Sequence, residues 1–140
     1  MTDTLSLGWS EADARKKRDG YVRLLGINLA LQSLIALWVL IYPWFFLSVL
    51  GLESDAAGQW ARVWAAMVLM ASAFQLPGLI DPLTQRLPCV VGVIGRAFMA
   101  VVFLCLGGGF IWLALFDGIF AILLFLAFQR AVISELQTRP

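Results

Sequence analysis

GRAFMAVVFLCLGGGFIWLALFDGIF, residues 95–120, reads as two apolar runs joined by Gly107, Gly108 and Gly109. Runs this apolar belong in a bilayer, where backbone N–H and C=O groups must be bonded within the chain. Each is therefore a helix. The glycine triplet then makes the tight turn of a helical hairpin. One ionisable group stands on each arm: Arg96 on the first and Asp117 on the second. A charge at the centre of a membrane helix costs about 2.5–3.5 kcal/mol on insertion scales, so such residues face a bundle interior and pair or bind there.

The rest of the chain has the same character. Of its 140 residues 61% are hydrophobic and 14% charged, with a mean hydropathy of +0.88. Soluble domains run near ~45–50% apolar and ~25% charged, and a chain this short cannot hide so much apolar surface in one soluble core. Four segments reach the ~20 residues that a crossing needs: residues 22–46, 60–80, 89–107 and 110–129. The sequence therefore predicts an all-α integral membrane protein, a four-transmembrane-helix bundle with short loops over residues 22–130. A cytoplasmic N-terminal arm, residues 1–21, precedes it and a cytoplasmic tail, residues 131–140, follows. Within the arm a short amphipathic helix is expected, with Ser10 as its N-cap and Gly20 as its break. The first span is too long for a signal-peptide core and lacks a cleavage site, so it stays in the mature protein.

Basic residues set the expected orientation. Arg15, Lys16, Lys17, Arg18 and Arg23 lie at the start of span one, Arg86 in the second loop, and Arg130 and Arg139 after span four. The first loop, SVLGLESDAAGQ, carries Glu53 and Asp55 and no base. The positive-inside rule places both termini in the cytoplasm. Tyr42, Trp44, Phe45, Phe46, Trp60 and Trp112 then form an aromatic belt on the outer side.

The missing residue types exclude several classes of function. With no histidine, bis-histidine haem, the usual zinc and copper sites and imidazole catalysis are ruled out. Cys89 and Cys105 are about 24 Å apart along one helix and cannot bond to each other. No metal site and no nucleotide-binding glycine motif is present. A net charge of +1, with Glu11, Asp13 and Asp19 interleaved in the basic arm, argues against nucleic acid and suits anionic lipid headgroups. Gly92 and Gly95 read as positions of close helix approach.

Depth, counted inward from the membrane faces, assigns partners to the buried charges. Asp117 lies about 10 Å from the outer face and Arg62 enters span two from that side, so depth favours an intramembrane ion pair of the two, while an arrangement shared with Arg96, about 10 Å further in, stays open. Arg96 lies about 10 Å from the inner face, near the amides Asn28, Gln32 and Gln75, with Asp81 at the helix end between Pro77 and Pro82. Asn28 and Gln32 are four apart and share a face. This group reads as a ligand pocket, in which the guanidinium fork receives a lipid or quinone headgroup.

RVWAAMVLM at the start of span two, DP after it, GR in span three and FDGIF in span four resemble the small four-helix bacterial inner-membrane proteins of the DoxX-like and related uncharacterised families. Arg62, Gly95, Arg96 and Asp117 occupy that pattern's positions. The resemblance implies a four-helix bundle in the bacterial inner membrane, an accessory subunit beside redox proteins. The expected function is a non-catalytic membrane subunit or anchor that binds lipids, a membrane-protein partner or a second copy, and a lipid or quinone headgroup within its bundle. Two alternatives stay open: a small proton-coupled transporter using Asp117, and a lipid- or quinone-modifying enzyme.

Overall fold

The computed structural model describes residues 3–52 and 54–138, with side chains from residue 11 to residue 137. Glu53 and Arg139 lie outside the described residues. These are helical almost throughout, with no strand. Helix α1 spans Asp3–Ile41, α2 Pro43–Leu50, α3 Asp55–Phe74, α4 Pro77–Ile80, α5 Arg86–Leu106 and α6 Ile111–Thr138. Four segments are long and apolar enough to cross a membrane: Glu11–Ile41, Asp55–Ile80, Arg86–Leu106 and Gly108–Gln137.

The breaks have local causes. Pro43 has no N–H and keeps Tyr42 out of the helical conformation, at φ −125° and ψ 74°, which ends α1 and opens α2. The first predicted loop is thus largely helical. Gly51 closes α2 at φ +73°, and the Leu52 N–H returns to the Leu47 carbonyl at 2.9 Å, a Schellman closure. Ser54 caps α3, its Oγ accepting from the Ala57 N–H at 3.2 Å, with Asp55 in the first turn. After α5, Gly107 and Gly108 turn the chain at φ +66° and +56°, through a single 3₁₀ turn into α6.

Helix α1 is the centre of the arrangement, packed against α3 on one flank and α6 on the other, while α5 lies along α6. Small residues permit the close approach: Ala36, Ala61, Ala65, Ala100, Ala114 and Ala121 are all buried. At one end Tyr21, Leu25, Leu29, Cys89 and Leu124 form an apolar cluster, and at the other Ala36, Val39, Leu47, Ala61 and Ala65 form a second. Leu29 and Ala36 belong to different clusters, so the turn of α1 between them is where polar side chains are held.

Two boundaries differ from the sequence reading. Gly20 does not break α1, which is continuous through it, and Ser10 lies inside the helix rather than at its start. The tail expected at residues 131–140 is helical to Thr138. Both have one cause: the outer turns of α1 and α6 bury surface on each other. Ala14, Tyr21, Ala131 and Ser134 are buried there, and the Tyr21 and Phe128 rings meet at 5.4 Å.

The exposed surface is apolar along the bundle, and most of the exposed tryptophan and tyrosine side chains among the described residues lie towards one end. Tyr42, Trp44, Phe45, Trp60 and Trp112 are exposed there, where α1, α2, α3 and α6 begin or end. Arg15, Lys16, Arg18, Arg23, Arg86 and Arg130 lie towards the opposite end.

Candidate functional site

Arg96 stands halfway along α5 and is 5% exposed. Its Nη1 donates to Asp117 Oδ1 at 2.9 Å, and its Nη2 donates to Gln32 Oε1. One guanidinium thus ties α5 to α6 and to α1. The third donor, Nε, is buried without a partner among the described residues. One turn before Gln32, Asn28 is 0% exposed, and neither atom of its amide has a protein partner there.

The ion pair differs from the one expected by depth. Arg62 is exposed on α3, and Asp117 goes to Arg96. Helices α3 and α6 each pack on α1 and make little contact with each other, and Arg62 lies one residue past the buried Ala61, about 100° around α3 from it. The hairpin turn explains the true partner. Arg96 and Asp117 stand at nearly equal distances from Gly108, so their levels differ by only about 4–5 Å on antiparallel helices.

The remaining pocket residues disperse. Gln75 donates to the Ala71 carbonyl of its own helix at 3.5 Å and lies on Gly92, where an added Cβ would sit 2.7 Å from its Oε1. Gly92 therefore marks a close approach, whereas Gly95 has open space around it. Asp81 acts locally, its Oδ1 accepting from the N–H groups of Leu83 and Thr84 at 3.2 and 3.3 Å. The Thr84 hydroxyl and backbone, the Leu83 N–H and the charge of Arg18 hold its carboxyl below the usual carboxylate range. Asn28, Gln32, Arg96 and Asp117 form the polar layer, without Gln75, Asp81 or Arg62.

A cavity of about 520 Å³ opens beside this layer. Gln32 and Asp117 are its polar lining residues, and the rest of its wall is apolar or glycine. The aromatic part of the wall comes from Trp38, Phe45, Phe46, Trp64, Trp112 and Phe116. Phe46 stacks on Trp64 with ring centres 5.0 Å apart. The sequence reading took Trp112 and the α2 aromatics as a surface belt only. The signal for a second role was the spacing of Trp112 and Phe116, four apart and so on one helix face that ends one residue before Asp117.

The cavity owes its shape to α2, which folds back over α1, and to Gly109. A Cβ at Gly109 would come within 2.2 Å of the Val49 carbonyl oxygen, so the hairpin turn meets the end of α2 backbone to backbone. Among the described residues no group of His, Cys, Asp and Glu is placed to hold a metal ion. No family model, curated protein or solved structure matches the chain.

Proposed function

We propose that the protein is a multi-pass membrane protein that acts as a binding subunit, holding one lipophilic molecule in the cavity between α1, α2, α3 and α6. One observation carries this reading: an aromatic-walled cavity of about 520 Å³ ends on a hydrogen-bonding floor of Gln32 and Asp117. Ligand sites have this form, mostly apolar with a few convergent polar groups, and fall in this size range. An amphiphilic ligand enters with its tail along the aromatic wall and its head on the polar layer. The three-way contact of Arg96 holds that layer rigid, which supports binding rather than turnover, and the chain has no histidine for imidazole chemistry.

Orientation and setting belong to the same proposal. The basic end of the bundle faces the cytoplasm and the aromatic end the outer interface, by the positive-inside rule. The resemblance to the DoxX-like group supports a bacterial inner membrane and a redox partner protein. The test is native mass spectrometry of protein extracted in mild detergent. Wild type should carry one co-purifying amphiphile per chain. Leu113→Trp, which fills the cavity, should lose it. An unchanged complement of bound molecules in that variant would overturn the reading.

A further inference from the structure

We infer that the cavity selects an uncharged ligand whose head is a hydroxyl group, an alcohol or a phenol, over an anionic or cationic one. The inference rests on the binding reading above and concerns what the floor can recognise.

A free guanidinium would call for an anion, but Arg96 is not free. Asp117 cancels its charge at 2.9 Å, and Arg96 is buried behind the pair and does not line the cavity. The charged group that an occupant meets is therefore the carboxylate. A phosphate head would face that carboxylate without water to screen it, and an ammonium head would leave the closed site with one net positive charge. In a low-dielectric pocket both are costly, whereas an uncharged head is not.

The unused hydrogen-bonding capacity of the floor then defines the head. A guanidinium can only donate, so it takes the oxygen of Gln32 and leaves the amide Nε2 as a donor. Of the two carboxylate oxygens of Asp117, Oδ1 is engaged by Arg96 and Oδ2 remains an acceptor. One donor and one acceptor stand on residues that meet the same guanidinium. A hydroxyl group satisfies both, accepting from Gln32 and donating to Asp117. A ketone or ester can accept but cannot donate, and leaves Oδ2 unpaired.

The test is competition among 1-dodecanol, 4-dodecylphenol, dodecyl phosphate and dodecylamine, read by native mass spectrometry on the full-length protein. The two hydroxyl probes should bind one per chain, about tenfold or more tighter than the phosphate and the amine, a ratio that one lost charge-assisted hydrogen bond supplies. Relative binding of alcohol and phenol distinguishes the two sources of the head. In Asp117→Asn the guanidinium is uncompensated, and preference should turn towards dodecyl phosphate. Leu113→Trp, or Val68→Trp should the first variant not fold, should lose all four probes. If wild type prefers phosphate or amine and the filled variants bind nothing, the inference about the head falls and the cavity reading stands. If no probe binds saturably, or the filled variants bind as wild type does, both fall.

Discussion

At the scale of single residues, Arg96 organises the polar layer, and its partners set what each substitution does. Asp117→Asn leaves a buried guanidinium uncompensated and should cost about 3–5 kcal/mol, the range for breaking one side of a buried ion pair. The double change of Arg96 and Asp117 to leucine should cost less than the two single changes together. Arg62→Gln should stay within about 0.5 kcal/mol of wild type, because Arg62 is exposed on α3. Reversible unfolding in mixed micelles gives all of these values. A large loss at Arg62 that is less than additive with the loss at Asp117 would restore the pairing expected from depth. Asn28 behaves in the opposite sense, since its amide is fully buried with no partner among the described residues. Asn28→Leu should raise stability by about 1–2 kcal/mol, and a loss of that size would show that the amide is hydrogen-bonded after all. The presence of both hairpin charges was legible in the sequence, and so was the pairing, had levels been counted from Gly108. Counting from the membrane faces failed because α5 begins at Arg86, before the apolar run does. The orphaned amide was not legible, because partners come from helix rotation and not from spacing along the chain.

At the scale of elements, the glycines divide by what surrounds them. Gly109→Ala should destabilise by about 1–3 kcal/mol, since its Cβ meets the backbone of Val49 and Leu50, which cannot swing aside. Gly95→Ala has open space and stands mid-helix, so it should be neutral or stabilising by up to about 1 kcal/mol. The same unfolding measurement compares them; equal effects would mean that α2 does not rest on the turn. Helix existence and type were readable from hydropathy for all four long segments. Their ends were less so. Gly20 looked like a stop because its local cost is real, about 1 kcal/mol against alanine. The burial of Ala14, Tyr21 and Ala131 between α1 and α6 outweighs it. Helix α2 was hidden for a different reason: PWFFLSVL is as apolar as a span end and is too short to show a period.

For the whole molecule, the proposed topology of four crossings places the start and the end of the bundle on one side. Reporter fusions after Ala57 and after Pro140 should therefore sit on opposite faces of the membrane, the first outside and the second in the cytoplasm. Finding both on one side would remove a crossing. The all-helical class and the four long apolar helices were legible because composition decides them. The order of helices around α1 was not, since each helix exposes apolar residues on all sides and no face declares its neighbour. That order bears on how the chain is made. Arg96 and Asp117 belong to the two arms of one hairpin, so these two helices can enter lipid together with their mid-helix charges already paired. Asn28 and Gln32, inserted earlier, carry no charge and can wait for them. Severing the chain at Gly108 and co-expressing the halves should then strand an unpaired charge on each fragment and abolish accumulation. A cut at Gly51 separates no charged pair and should be tolerated. Equal yields from the two split forms would show that the helices insert singly.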